Sequence, residues 1–331
     1  MTLETFWKAL GAPVQSAEEE TFELFAQDLP SQSLGFVNPK ATTLDITIGG
    51  RDLTIHQSPA VLSSNRAGGT TGAVVWKITP LFAEWISSPG TSNPFFQHGI
   101  LSPESVVLEL GCGISALVGL LLAPRISRYI LTDQAYVSKL VEQNVAENHD
   151  SPNQAKPGRS LRSTGPAKQR ATTATNPTAS RKGGGGGRRA GAGEDGMIHF
   201  TPLDWETDKV TPALLASVGE TARKSFDAVI ACDCVYNEAL IEPFVSTCVD
   251  VCGLRTGEAD GDGQGSAEPC VCVVAQQLRD PLVFEAWLTR FAGSFHTWRV
   301  PDEWLLEGLR SKSGFVVHVG MLKDAVDLQA I

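Results

Sequence analysis

A chain of 331 residues with 42% hydrophobic and 19% charged residues has enough apolar side chains for a large buried core. Its longest apolar run, Ile114 to Ala123, is about ten residues, half of what a membrane-spanning helix needs. The net charge of −10 is uneven: residues 149–196 hold nine Lys and Arg against three acids, which leaves −16 on the remainder. So acidic a body disfavours nucleic acid as the main ligand and suits a basic partner.

Along the chain, the start Met1-Thr2-Leu3-Glu4 puts an acid where a secretory signal carries its basic region, so the cytoplasm is the expected compartment, with the nucleus as alternative. Short helical patterns fall near residues 3–10 and 18–28. Leu44–Ile48 and Leu53–His56 alternate around Gly49-Gly50 and predict a β-hairpin. From residue 73 the pattern turns α/β. Helix is expected over Val74–Ile86, a buried strand over Val106–Leu110, a helix over 114–122, a strand over Tyr129–Asp133 and a helix through Asn148. Further strands are predicted near 198–203, 226–233, 270–276 and 315–321, with helices near 239–252 and 281–292. Such alternation predicts a mostly parallel sheet covered on both faces, which binds ligands at the carboxyl ends of its strands. The expected organisation is an N-terminal extension with the hairpin over 1–72 and an α/β domain over 73–331. Residues 149–196, rich in Pro, Gly, Ser, Thr and Arg with five glycines at 183–187, are expected to interrupt it as a disordered insertion.

The seven cysteines form no C-x-x-C pair and have no His at zinc spacing. Cys232/Cys234 and Cys270/Cys272 lie in apolar runs and read as small buried hydrophobes. No disulfide or metal is expected.

The strongest chemical signal is Glu109-Leu110-Gly111-Cys112-Gly113 between a strand and a helix. Gly111 and Gly113 allow a tight turn whose N–H groups approach a ligand closely. Dinucleotide-binding dehydrogenases share that glycine turn. Glu109 points elsewhere, because a carboxylate there repels a pyrophosphate and welcomes a sulfonium or ammonium. Asp133 ends the next strand and can accept both hydroxyls of a ribose. A second signal is Asp233-Cys234-Val235-Tyr236, an acid and a phenol at the carboxyl edge of the fourth strand; the plainer alternative is that Asp233 caps a helix and Tyr236 packs. Trp76 and Trp205 add indoles that can wall off a cofactor, or simply fill the core.

Taken in order, T-G-A-V-V-W at 71–76, E-L-G-C-G at 109–113, T-D at 132–133, D-W at 204–205 and D-C-V-Y at 233–236 resemble methyltransferase family 16, a group of class I protein lysine methyltransferases. The extension and the polar insertion are most similar to its fungal ribosomal branch. The resemblance implies a Rossmann-like seven-stranded sheet, S-adenosylmethionine as methyl donor and a large-subunit ribosomal protein as substrate. It further implies Trp76, Glu109, Gly111, Cys112, Gly113, Asp133, Trp205 and Cys232 as cofactor contacts. Cys232 stands where many relatives have Ala. Asp233 and Tyr236 are then the pair that binds and aligns the substrate lysine. A monomer is expected, and the basic insertion could touch ribosomal RNA. A small-molecule methyltransferase and a non-catalytic scaffold on the same fold stay open as alternatives.

Overall fold

The computed structural model describes residues 3–30, 35–66, 69–89, 93–149, 197–256 and 268–323. The predicted insertion therefore lies outside the described residues, save for its first residue. The described residues make one compact unit.

In chain order the elements are α1 (Leu3–Leu10), α2 (Ala17–Phe25), β1 (Thr43–Ile48), β2 (Arg51–His56), α3 (Pro59–Leu62), α4 (Ile78–Ile86) and α5 (Pro94–Gln97). Then come β3 (Val106–Leu110), α6 (Leu117–Leu122), β4 (Arg128–Asp133), α7 (Ser138–His149), β5 (Ile198–Pro202), α8 (Pro212–Ser217) and β6 (Ala228–Cys232). The chain closes with α9 (Ile241–Thr256), β7 (Val271–Gln277), α10 (Pro281–Ser294), β8 (Phe295–Arg299) and β9 (Phe315–Leu322). β1 and β2 form the predicted hairpin, and the other seven strands form one sheet in the order β5-β4-β3-β6-β7-β9-β8. β3 to β7 run parallel; β9 is antiparallel to both β7 and β8.

Every residue of β3, β6, β7 and β9 is buried, as expected of strands covered on both faces. Alternate residues feed two apolar clusters: Val107, Ile230 and Val273 on one face, Leu108, Val229 and Val274 on the other. All seven cysteines are free and buried in this core.

Three local expectations need correction. Residues 74–76 are not helical, because the chain here pairs with an N-terminal segment in a bridge between Trp76 and Phe36: the Val37 N–H donates to the Val75 carbonyl at 3.0 Å and the Lys77 N–H to the Gly35 carbonyl at 2.7 Å. The helix after the glycine turn starts at Leu117, since Ala116 takes a left-handed φ of 53°. The run 295–299 is a strand that sequence reading missed. It follows α10 with no Gly, Pro or Asn between them.

The hairpin is tied to α7 by two asparagines one turn apart. Asn144 Oδ1 accepts from the His56 N–H at 2.8 Å, and its Nδ2 donates to the carbonyls of His56 and Ile114 at 2.9 and 2.7 Å. Asn148 does the same at Thr54, accepting at 2.9 Å and donating at 2.9 Å. These amides stand in for a third strand on the free edge of β2, whose N–H and C=O groups need partners once buried. Asn144→Ala should therefore lower stability by about 2–4 kcal/mol, more than a lone solvated hydrogen bond. Urea unfolding measures it, and a change below about 0.5 kcal/mol would show that these groups find other partners.

Candidate active site

The strand order turns back between β3 and β6, which opens a crevice at the carboxyl ends of β3, β4 and β6. A cavity of about 380 Å³ lies there, within the range of small-molecule sites. The glycine turn, Glu109 and Asp133 line it, as do Trp76, Trp205, Cys232, Asp233 and Tyr236. All ten residues singled out from the sequence thus face one space.

The floor is the turn after β3. Gly111 and Gly113 have φ of 68° and 58°, in the left-handed region. A Cβ on Gly113 would meet the Gly72 carbonyl at 3.2 Å, and one on Gly111 would sit 2.7 Å from Cys234 Sγ. The Ile114 N–H donates to the Gly72 carbonyl at 2.9 Å, which brings residues 69–76 over the turn.

Asp133 ends β4 beside this floor. Its Oδ2 accepts from the Gly113 N–H at 2.9 Å and its Oδ1 from the Gln134 N–H at 2.7 Å. Each oxygen keeps a lone pair for a ligand hydroxyl. Burial pushes its carboxyl up to about 6, against those two N–H groups. Glu109 lies deeper, 2% exposed, and accepts from the Tyr129 hydroxyl at 2.9 Å. Burial pushes it up to about 8, so near neutral pH it is largely protonated in the free protein. Burial likewise keeps the thiols of Cys112, Cys232 and Cys234 protonated.

Trp76 and Trp205 both line the cavity. The Trp76 indole donates to the Thr71 carbonyl at 3.1 Å and packs 4.4 Å from the Phe36 ring. Trp205 packs edge-on to Phe244 at 5.4 Å, and its buried Nε1 has no partner among the described residues. Tyr136 also lines the cavity, with the Arg66 guanidinium 4.1 Å over its ring.

Asp233 and Tyr236 close the far end. Asp233 is not a helix cap; Asn237 fills that role, accepting from the Leu240 N–H at 3.3 Å. Instead Asp233 sits in the left-handed region, φ 61°, directly after β6. Its Oδ1 accepts from Arg279 Nη1 at 2.7 Å and its Oδ2 from Arg279 Nη2. Tyr236 is 38% exposed, and its hydroxyl accepts from Thr71 Oγ1 at 3.1 Å. Sequence reading missed Arg279. Its trace is the polar Gln276-Gln277-Leu278-Arg279 at the end of an otherwise apolar strand, level with Asp233.

Among the described residues no group of three or more His, Cys, Asp or Glu could hold a metal ion. The cavity is instead lined by Trp76, Trp205, Tyr136 and Tyr236 together with five acids, Glu109, Asp133, Asp204, Glu206 and Asp233.

The seven strands, parallel except for β9, form a Rossmann-like α/β fold. Within it, residues 56–161 match the lysine methyltransferase family, in line with the resemblance read from the sequence. The chain is 28% identical over 240 residues to ribosomal lysine N-methyltransferase 5 of Saccharomyces cerevisiae, which covers 61% of this chain and 62% of that protein. It is 33% identical over 139 residues to a Schizosaccharomyces pombe protein named diaminohydroxyphosphoribosylamino-pyrimidine deaminase, covering 42% of this chain and 33% of that one. The chain thus spans between a third and two thirds of the length of these relatives. Similar solved structures include the N-methyltransferase NodS from Bradyrhizobium japonicum with S-adenosyl-L-homocysteine (12% identity, TM-score 0.34, covering 66% and 78% of the two chains). Another is the Pyrococcus abyssi tRNA (uracil-54, C5)-methyltransferase with the same ligand (12% identity, TM-score 0.37, covering 85% and 44%).

Gly111→Ala should damage this site twice, through its left-handed φ and through the close approach to Cys234. A loss of about 1–2 kcal/mol from the backbone alone is expected. Thermal unfolding checks it, and an unchanged midpoint would mean the turn can relax.

Proposed function

We propose that the chain is an S-adenosylmethionine-dependent protein-lysine N-methyltransferase acting on a large-subunit ribosomal protein, as a monomer in the cytoplasm. The observation that carries this reading is the single cavity in which the glycine turn, Asp133, two indoles and the Asp233–Tyr236 pair converge. The match to the lysine methyltransferase family and the likeness to ribosomal lysine N-methyltransferase 5 support the substrate class. The acidic body, with Asp204 and Glu206 at the cavity, favours a basic protein. No described helix is long and apolar enough to cross a membrane. A contact of the basic insertion with ribosomal RNA belongs to the same proposal.

The residues fit the donor by chemistry. Asp133 would accept the ribose hydroxyls and the Gly111–Gly113 turn would admit the amino-acid end. Trp76 and Trp205 would wall the cavity, and Trp205 Nε1 offers an unused donor. Cys112 and Cys232 would pack beside these groups, and Glu109 would face positive charge. Bound S-adenosylmethionine supplies an electrophilic methyl on a sulfonium. The protein's own task is to align the substrate amine with it and exclude water. The amine must attack with its lone pair free, and at pH 7 only about 1 in 2,500 free lysines is neutral. Tyr236 would orient the nitrogen through its hydroxyl and Asp233 would set the entrance. The proton that the amine must give up would pass to water beside Tyr236, which is 38% exposed.

The two raised acids give this reading a pH signature. Glu109 and Asp133 bind protons more tightly folded than unfolded, up to about 8 and 6. Their contribution to the stability of the free protein therefore falls as pH rises from about 4 to 8. A cation entering the cavity favours their ionised forms, so its affinity should rise over the same window with proton release. Titration calorimetry in buffers of different ionisation enthalpy should find more protons released at pH 7 by S-adenosylmethionine than by the uncharged thioether S-adenosylhomocysteine. Asp133→Asn should flatten the part of the rise near pH 6. Equal proton release by both ligands would remove Glu109 from the sulfonium's surroundings.

Incubation with radiolabelled S-adenosylmethionine and purified ribosomes, followed by mass spectrometry, tests the function directly. The expected product is a methylated lysine in one large-subunit protein. Label in small molecules alone would overturn the protein substrate, and no turnover despite cofactor binding would leave a scaffold.

A further inference from the structure

We propose that Arg279 is a positioning residue for methyl transfer: it fixes the Asp233 carboxylate and cancels its charge, so that the incoming amine meets an ion pair and not a bare anion. The inference rests on the lysine methyltransferase reading above.

The pair is built from four segments. Asp233 follows β6, Arg279 follows the parallel neighbour β7, and both sit at the carboxyl edge. The guanidinium donates through both Nη atoms to the two carboxylate oxygens. The Gln277 N–H donates to Asp233 Oδ1 at 3.2 Å, and Gln277 Oε1 accepts from Arg279 Nη2 at 2.7 Å. Trp76 lies 4.8 Å from the guanidinium carbon, a cation–π contact from the third segment. Gly35 covers the fourth side so closely that a Cβ there would fall 2.2 Å from Gln277 Oε1 and 2.8 Å from Arg279 Nη2. The Asp233 side chain is 3% exposed and that of Arg279 26%. Such a two-pronged, partly desolvated pair is a fixed fork rather than a passing surface contact.

Its chemical consequence follows from what the amine must do. A bare carboxylate beside the lysine would bind ammonium and raise the amine's pKa, and each unit lost to that effect is a tenfold loss of the reactive neutral form. With the guanidinium in place the local charge sums to zero. Of the other acids that line the cavity, Glu109, Asp133, Asp204 and Glu206, none shares a hydrogen bond with the pair, whose own charge is zero. Cys232 and Cys234 flank Asp233 as neutral thiols. Glu109 and Asp133 stand further along the cavity, toward the cofactor end, and Tyr236 lies on the following turn. Asp233 then acts as an anchor that holds the 233–236 turn and hence Tyr236, while the sulfonium is free to lower the amine's pKa.

The test compares wild type with Arg279→Gln, Arg279→Lys and the double variant Asp233→Asn/Arg279→Gln. The first readout is calorimetric affinity for n-butylammonium at pH 7, which needs no turnover. Arg279→Gln frees the carboxylate and should bind the probe at least tenfold more tightly, and the double variant should lose that gain. The second readout is kcat/KM on the ribosomal substrate against pH. Arg279→Gln should move the rising limb about one unit to higher pH; Arg279→Lys, which keeps the charge but not the fork, should keep the wild-type limb with a lower kcat. Unchanged probe affinity together with an unmoved limb in folded Arg279→Gln would reduce Arg279 to a structural tie and overturn the proposal. Should Arg279→Gln fail to fold, Arg279→Lys decides, because a displaced limb there would overturn it. A wild-type protein that labels no ribosomal protein, beside a tenfold probe gain in Arg279→Gln, would overturn the ribosomal reading alone.

Discussion

Left-handed backbone at the ends of two adjacent strands is the constraint on which the site depends. β3 hands the chain into Gly111 and Gly113, and β6 hands it into Asp233, all with φ between 58° and 68°. Each such residue turns the chain sharply out of the sheet, so the strand ends stay open where the strand order turns back. Glycine meets the demand without strain, and aspartate is among the few other residues that tolerate it. At 233 the tolerance has a second use, because the turn aims the carboxylate at Arg279 on the neighbouring strand. Ala116, also left-handed, has neither excuse and stores some strain at the head of α6. Its position one turn from the glycines ties that strain to the shape of the cavity floor.

The same geometry divides the cavity electrically. At the β3–β4 end two acids have no counter-ion among the described residues, and burial raises both, Glu109 to about 8 and Asp133 to about 6, so near neutral pH Glu109 keeps its proton and Asp133 has mostly lost it. At the β6–β7 end the acid is already paired. A cationic cofactor therefore gains from ionising Glu109, whereas an amine entering past Asp233 finds no net charge to trap it as ammonium. One cavity can in this way attract one cation and keep a second group neutral, with no dedicated base.

Much of this was legible in the sequence because glycines, apolar runs and acids at strand ends answer to local rules. E-L-G-C-G marked the floor, Thr132-Asp133 the acid beside it and Asp233 to Tyr236 another part of the lining. What was illegible depends on tertiary pairing. Val74–Trp76 carries apolar spacing that suits a helix, yet its backbone pairs with residues 35–37, far away in sequence. β8 joins α10 without punctuation, so only its partner β9 reveals it. Arg279 belongs to no motif of the sequence; its partner is 46 residues away and becomes adjacent only through the parallel β6–β7 register. Asp233 itself was visible as an acid at a strand end, but whether it stood bare or paired was not.

The N-terminal residues are part of the site for the same reason. Phe36 packs at a tilt against Trp76, Gly35 covers the Arg279–Gln277 pair, and the backbone of 35–37 pairs with 75–77, which places Trp76 at the cavity. Those residues lie between α2 and β1, and both flanks are anchored on the α/β body. On the α2 side Glu20 accepts from buried His318 of β9 at 3.0 Å and pairs with Arg299 of β8 at 3.4 Å. On the hairpin side Asn144 and Asn148 of α7 pair with β2. Anchoring at both ends shortens the loop that must be ordered over Arg279, and with it the entropy of placing Gly35 there. A side chain at 35 would displace the ends of Gln277 and Arg279, so glycine there keeps the cover close to the pair. The segment that looks in sequence like an appendage before the α/β domain therefore sets the position of the guanidinium, and through it the charge that an incoming amine meets.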